Sequence, residues 1–160
     1  MIGAAPGVRA PKESETFKLV AAGTNPFVIR GNADFDRLVG LAFYRPPSIP
    51  APFRRVMVRD LMARRDSYAK IFADLNMLPA GPGPLEPLLP GLALPALILW
   101  GAHDKTVDVS AVGVFAAAIK GSETTIFQDC GHTLPRDCPE AVATRYLAFL
   151  DAVPTAGPPH

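Results

Sequence analysis

Two apolar runs in the sequence each end close to a residue that can take part in acid–base catalysis. The run at 96–100 is followed by Asp104, and the run at 124–127 is followed by His132. A carboxylate that accepts a hydrogen bond from one imidazole nitrogen fixes the tautomer of the ring and leaves the other nitrogen to take a proton from a nucleophile. Asp104 and His132 are therefore candidates for the acid and the base of a catalytic site.

The pattern around these two residues predicts a parallel strand–helix–strand unit. Strands are expected at 96–100 and 124–127, with a helix between them at about 112–120 and Gly121 as its C′ stop. Four apolar residues form the predicted buried face of that helix: Val112, Phe115, Ala116 and Ile119. Because parallel strands place their carboxyl ends at one edge of the sheet, Asp104 and His132 are expected to meet there.

The two ends of the chain extend this unit. Residues 1–11 begin with a run of small apolar residues, which is typical of the end of a core strand and the loop after it. Residues 96–152 are predicted to end in a helix that opens at Pro139, followed by a tail at 153–160. The residues expected to be buried by that helix are Val142, Tyr146, Phe149 and Leu150.

Residues 12–78 predict a separate module of three or four short helices. Gly23 is the expected C′ stop of one helix, and Asn32 is the expected N-cap of another. The stretch at 79–95 is dense in proline and glycine, which excludes a regular helix or an inner strand. It is interpreted as a connection between the helical module and the strand unit.

One helix of this module, at about 53–65, is both basic and amphipathic. Its apolar residues recur at helical spacing and alternate with five arginines. The apolar set is Phe53, Met57, Val58, Leu61 and Met62, and the basic set is Arg54, Arg55, Arg59, Arg64 and Arg65. The favoured interpretation is a stripe that faces the core beneath a solvated charged face, and the alternative is contact with a membrane surface.

Composition narrows the classes of function. The 160 residues are 49% hydrophobic and 19% charged, which favours a globular domain, and the net charge of +1 gives no reason to expect nucleic acid as a partner. No apolar run reaches the length of a membrane span, and no targeting segment is recognised. Two cysteines are too few for a disulfide framework, so a reducing, cytoplasmic location is the default expectation, with any targeting segment of a longer parent upstream of Met1.

The two stretches LPALILWGAHDKTVDVS and TTIFQDCGHTLPRDCPEAVATRYLAFL together resemble the end of an α/β-hydrolase. In that family the catalytic acid follows strand seven and the histidine follows strand eight, which implies Asp104 and His132 as the catalytic residues. Residues 12–78 are more weakly similar to the lid of bacterial lipases and monoacylglycerol lipases. The resemblance implies the α/β class, with a partial α/β-hydrolase fold made of a helical lid, a parallel strand–helix–strand unit and a C-terminal helix.

The family also has a nucleophile on a G-x-S-x-G elbow, upstream of the acid and the histidine. None of the five serines here lies in such a motif: Ser14, Ser48, Ser67, Ser110 and Ser122. The resemblance therefore implies that about half of the fold, with the nucleophile, precedes Met1 or belongs to a separate N-terminal half. It also implies a small-molecule acyl ester as substrate, with no cofactor and no metal. The family commonly has glutamate at the position of Asp137.

Several alternatives remain open at this point. Asp108 could be the acid, although its place before the predicted helix favours a capping role. An aspartate at the missing elbow would make the protein an epoxide hydrolase or a dehalogenase of the same fold. A non-catalytic truncated fragment, or a subunit of a split protein, is a third interpretation. Cys130 is a poor candidate nucleophile, because it lies two residues from the proposed base on the same loop.

Overall fold

The computed structural model describes residues 2–3, 7–74 and 84–153, which form one small parallel sheet and seven α-helices. The strands are β1 (Ile2–Gly3), β2 (Leu97–Gly101) and β3 (Glu123–Phe127). The helices are α1 (Glu15–Ala21), α2 (Asn32–Ala42), α3 (Ala51–Ala63), α4 (Arg65–Asp74), α5 (Ala111–Ala118), α6 (Leu134–Asp137) and α7 (Pro139–Ala152). A single 3₁₀ turn is described at Leu89–Gly91.

The sheet has the order β1-β2-β3, and both strand pairs are parallel. Ile2 pairs with Ile98, and Leu97 pairs with Glu123. The predicted strand–helix–strand unit is therefore confirmed, with each strand shifted by no more than one residue at either end. All five residues of β2 are buried, as expected for a central strand of a parallel sheet that is covered on both faces.

Alternate residues of β2 contribute to two hydrophobic clusters, one on each face of the sheet. Ile98 and Trp100 pack in the cluster that holds α5, whereas Leu97 and Leu99 pack in the cluster that holds Leu134 and parts of α7. This alternation follows from the pleat, which points successive side chains to opposite faces. The core of the described chain is thus organised around one short strand.

The boundaries of α5 differ from the prediction. The helix ends at Ala118, and Gly121 lies three residues further on, with φ +73° in the turn into β3. Gly121 is therefore not the C′ residue of the helix, although it does adopt the left-handed conformation that favours glycine. Ile119 is still buried, so the predicted apolar face is otherwise retained.

Helix α7 buries a narrower stripe than predicted. Val142 and Phe149 are buried, but Tyr146 and Leu150 are 36% and 47% exposed, so their predicted burial is wrong. The helix packs over β2 in this small sheet, and only the stripe that points directly at the strand reaches the core. Tyr146 and Leu150 remain on the flank of that stripe.

The helical module formed by α1 to α4 has its own small cluster around Ile29, Phe35 and Val58. Gly23 follows the end of α1 with φ +79°, as its predicted stop position requires. The N-cap of α2, however, is Gly31, and Asn32 is the first helical residue. The Asn32 side chain accepts a hydrogen bond from Arg54 at 3.2 Å instead, so it links two helices rather than capping one.

The apolar stripe of α3 is only partly directed at the core. Val58 is buried, whereas Phe53 and Met57 are 68% and 44% exposed in the described chain. The predicted core-facing role is therefore wrong for these two residues. Val56 is also exposed, and the three exposed residues share one face of the helix because they lie at i, i+3 and i+4.

The segment between the helical module and β2 is irregular where it is described. At 84–95 it contains turns and the 3₁₀ turn, and Leu89 anchors it in the core. The amide of Leu85 donates a 2.9 Å hydrogen bond to the carbonyl of Gly7. Residues 75–83, which include part of the predicted connection, and the predicted tail from 154 onward lie outside the described residues.

No helix in the described ranges is both long enough and apolar enough to cross a lipid bilayer. A disulfide joins Cys130, in the loop after β3, to Cys138, at the start of α7. The expectation of a reducing compartment assumed that the cysteines are unpaired, and this bond removes that basis, because disulfides persist in oxidising environments.

Replacing Cys130 and Cys138 together with alanine should lower the free energy of unfolding by about 2.5 kcal/mol, since the bond closes a short loop and restricts the unfolded chain. The sequence separation of the two cysteines is 8 residues. Urea unfolding of the variant and of the oxidised protein would measure the difference. A reduced wild-type sample should match the variant, and an unchanged unfolding midpoint in both would contradict the prediction.

Candidate active site

Asp104 lies in the loop that follows β2, and its carboxylate is buried and held at both oxygens. Oδ1 accepts hydrogen bonds from the backbone N–H groups of Thr106 at 2.8 Å and Val107 at 2.9 Å. The side chain is 0% exposed. Two backbone donors on one oxygen fix the plane of the carboxylate and compensate for its removal from water. Oδ2 is left to interact with a further partner.

That partner is His132, in the loop that follows β3. Its Nδ1 lies 3.1 Å from Asp104 Oδ2, so the structure brings the two predicted residues together. The ring is 28% exposed, and no residue in the described part of the chain forms a hydrogen bond with Nε2. A carboxylate on Nδ1 favours the tautomer in which Nδ1 carries the hydrogen and Nε2 can accept a proton. The pair is therefore equipped to act as an oriented base.

The loops that carry Asp104 and His132 touch through their backbones. The His103 amide donates a 3.0 Å hydrogen bond to the Cys130 carbonyl. A Cβ atom on Gly101 would overlap with the carbonyl groups of Cys130 and Gly131. Glycine at this position is required by the close approach itself. The glycine that precedes Asp104 in the sequence thus has a direct steric explanation.

Trp100 is a supporting residue whose role the sequence analysis missed. Its indole is fully buried, and Nε1 donates a 3.0 Å hydrogen bond to the Val107 carbonyl. The bond ties Val107, at the C-terminal end of the Asp104 loop, to Trp100 in β2. The loop is therefore attached to the strand at both of its ends. In the sequence it is only the last residue of the apolar run at 96–100, and an indole N–H donor within an apolar strand is the signal that could have indicated the role of Trp100.

Asp108, the alternative acid, is placed elsewhere. Its Oδ1 accepts a hydrogen bond from the Ser110 amide at 2.9 Å, and its carbonyl accepts one from Ala111 at 3.0 Å. These donors lie at the start of α5, where a carboxylate is stabilised by the unpaired N–H groups of the helix. Asp108 therefore organises the entry to the helix, whereas Asp104 contacts His132.

In the part of the chain that the structure describes, neither His103 nor either cysteine forms a side-chain hydrogen bond with Asp104 or His132. His103 is exposed, and its ring stacks on that of Tyr44 with centroids 4.1 Å apart. Cys130 and Cys138 are bonded to each other, and His160 lies outside the described residues. Among the described residues, no cluster of three or more histidine, cysteine, aspartate or glutamate side chains could hold a metal ion.

A short segment at the C-terminal end of α2, residues 41–45, crosses both loops, and no sequence pattern predicts it. We call this segment the strap. The Leu41 carbonyl accepts a 3.4 Å hydrogen bond from Thr106 Oγ1 in the Asp104 loop. The Ala42 carbonyl accepts bonds from the amide and the hydroxyl of Thr133, at 3.1 and 2.9 Å, directly after His132. The helical module is thereby attached to both halves of the site.

No family model matches the chain. The chain is 22% identical to Lipase 1 of Psychrobacter immobilis over 125 residues, which cover 78% of this chain and 39% of that protein. It is 23% identical to monoacylglycerol lipase ABHD6 of Mus musculus over 128 residues, which cover 80% of this chain and 38% of that protein.

Among solved structures, a crystal structure described as a membrane phospholipase A superposes with a TM-score of 0.87 at 36% sequence identity. The match covers 96% of this chain and 49% of that one. The chain thus spans about half or less of the length of the proteins it matches. We conclude that the described residues form part of the α/β-hydrolase fold, in a chain that resembles bacterial lipases and monoacylglycerol lipases.

Proposed function

We propose that this chain supplies the acid and the general base of a Ser-Asp-His triad in a serine ester hydrolase. The observation that carries the proposal is the 3.1 Å contact between the buried Asp104 carboxylate and Nδ1 of the partly exposed His132. The two residues follow adjacent parallel strands, at the edge of the sheet where such folds bind their ligands. The lipase-type relatives support an acyl ester as the substrate.

In this mechanism, Asp104 orients the imidazole and stabilises it once it is charged. His132 Nε2 takes the hydroxyl proton of a serine while the serine oxygen attacks the ester carbonyl carbon. The resulting intermediate expels the alcohol, which receives that proton from His132, and leaves an acyl-enzyme. Water then attacks the acyl group, with His132 again acting as the base and afterwards returning the proton to the serine.

The serine itself is proposed to come from outside these 160 residues. No serine of the chain lies in a G-x-S-x-G elbow, and the relatives are about twice as long as the matched region or longer. A second segment of the same polypeptide, or a separate N-terminal half, would bring the nucleophile and the oxyanion-hole donors. If that segment carried an aspartate nucleophile, the protein would instead be an epoxide hydrolase or a dehalogenase. If it carried no nucleophile, this chain would be part of a non-catalytic protein.

Changing Asp104 to asparagine in the complete natural protein should leave the fold intact but lower kcat by about 10⁴-fold, because the imidazole would take the wrong tautomer. Hydrolysis of a soluble nitrophenyl ester would measure the effect. Asp108→Asn is the matched control, since that carboxylate lies four residues away and contacts only the start of α5. The assignment of the acid is wrong if the control loses more turnover than Asp104→Asn.

The purified 160-residue chain alone should neither hydrolyse nitrophenyl esters nor be labelled by a fluorophosphonate, because an acid and a base without a nucleophile cannot form an acyl-enzyme. The complete protein should be labelled at one serine. Labelling of the complete protein by an epoxide at an aspartate would favour the alternative chemistry. Saturable ester hydrolysis by the short chain, abolished by His132→Ala, would contradict the requirement for an external nucleophile.

We further propose that the helical module is a lid that contacts a lipid surface through α3. Phe53, Val56 and Met57 form an exposed apolar patch on one face of the helix, and Ile71 of α4 is 55% exposed. Arg55 of the same helix is also exposed. Exposed aromatic and aliphatic side chains on a helix that also exposes arginine suit the interface of an anionic membrane. The name of the 36% identical neighbour, a membrane phospholipase A, supports this proposal.

Replacing Phe53 and Met57 with serine should lower activity on anionic lipid vesicles by at least about tenfold, because apolar area is lost from the interface, and should change activity on a soluble ester by less than about twofold. Leu88→Ser is the control, since Leu88 is 66% exposed but lies outside the helical module. Arg54 is left unchanged because it binds Asn32 and Asp36. Equal losses on both substrates would exclude a role at the interface.

A further inference from the structure

The Asp137 carboxylate connects the loop of His132 to the strap. Its Oδ2 accepts hydrogen bonds from the Gly131 amide at 2.8 Å and from the Tyr44 amide at 3.1 Å. Gly131 directly precedes His132, and Tyr44 belongs to the strap. Charged acceptors on backbone N–H groups form shorter and stronger hydrogen bonds than neutral ones. One oxygen atom therefore joins two segments that are far apart in the sequence.

The approach of these segments leaves no room for other atoms. A Cβ atom on Gly131 would lie 2.8 Å from the Tyr44 nitrogen and 3.1 Å from Asp137 Oδ2. Real Cβ atoms are not found at the shorter of these distances, so a side chain at 131 would displace the strap. The close contact between Gly131 and Tyr44 therefore depends on glycine at position 131. The amides of both residues point at Asp137 Oδ2.

His132 is held on both sides as a result. The residue before it is bound to Asp137, and the residue after it, Thr133, is bound twice to the Ala42 carbonyl of the strap. The strap in turn reaches the loop of the acid through Leu41 and through the stacking of Tyr44 on His103. Asp137 is the only side chain described that bonds to both the His132 loop and the strap amide at 44.

We propose that Asp137 is a positioning residue, which holds His132 at hydrogen-bond distance from Asp104 and so keeps the imidazole in the orientation that a general base requires. The inference rests on the proposed function, because it assigns Asp137 a role in the reaction that His132 is proposed to perform. Asp137 touches neither the substrate nor the reacting atoms. It acts through the Gly131 amide, and the strap through which it acts belongs to the helical module.

The mechanism predicts a specific pattern among substitutions of Asp137. Alanine removes the acceptor, so both amides lose their partner and the loop of His132 gains freedom. Asparagine keeps one side-chain oxygen, and since a single oxygen accepts both bonds in the structure, this variant should retain the contact. A displacement of about 1 Å at a catalytic group can lower turnover by about 10²-fold without changing substrate affinity.

The experiment measures amide hydrogen exchange and ester hydrolysis in the complete natural protein carrying Asp137→Ala, Asp137→Asn or Asp129→Ala. Asp129 is the control, because it lies in the same loop but reaches the strap only through a 3.7 Å ion pair with Arg45, which contributes little since both side chains are more than 70% exposed. Asp137→Ala should raise the exchange rates of the Gly131 and Tyr44 amides at least about tenfold. It should also lower kcat by about 10- to 100-fold with little change in KM.

Asp137→Asn and Asp129→Ala should stay within about threefold of the wild type in both measurements. If Asp137→Ala does not fold, Asp137→Ser takes its place, because its shorter hydroxyl cannot reach both amides. If Asp137→Ala speeds amide exchange but leaves kcat unchanged, the contact is purely structural and the proposal is overturned. Unchanged amide exchange in this variant would also overturn it. Failure of the proposed triad can be told apart from failure of the Asp137 proposal. If the triad is wrong, Asp104→Asn leaves turnover intact, whatever the exchange rates of the Gly131 and Tyr44 amides.

Discussion

The arrangement of this site depends on the backbone contact between the loops that follow β2 and β3. Parallel strands bring their carboxyl ends to one edge, but that placement alone leaves two flexible loops side by side. The hydrogen bond from the His103 amide to the Cys130 carbonyl, together with the absence of a side chain at Gly101, lets the loops meet at main-chain distance. The short carboxylate of Asp104 can then reach His132.

Support for this contact comes from three different directions. The sheet holds the loop of Asp104 through the Trp100 indole, and the disulfide ties the loop of His132 to the start of α7. The strap adds contacts from the helical module to both loops. Each support holds a different part of the two loops, so none of them replaces another. The role proposed for Asp104 and His132 requires such a fixed orientation.

Much of this architecture follows from local sequence patterns. The parallel unit is specified by the apolar run that ends at Trp100, the helical spacing before Ile119 and the second run that ends at Phe127. The unit brings the loops of Asp104 and His132 to the same edge of the sheet. Residues whose partners are distant in sequence were not predictable in this way. Asp137 meets Tyr44 across 93 positions, and no periodicity records such a pairing.

The errors have a related cause. Helical spacing identifies an apolar face but not whether a neighbour covers it, so Phe53, Met57, Tyr146 and Leu150 were expected to be buried and are exposed. Asparagine is a favoured N-cap residue, but Gly31 occupies the N-cap position of α2. The side-chain oxygen of Asn32 instead accepts a hydrogen bond from Arg54. Two cysteines are too few for a disulfide framework, but a separation of eight residues still lets them close one short loop.

The chain contains one tryptophan, and Trp100 is that residue. Its indole is buried between β2 and α5, and its N–H group is bonded to the loop that presents Asp104. The tryptophan fluorescence of the chain therefore originates at the support of the Asp104 loop. A shift of the Trp100 emission to longer wavelength would indicate that the indole is exposed to water and that the Asp104 loop has separated from β2. This measurement needs no added label.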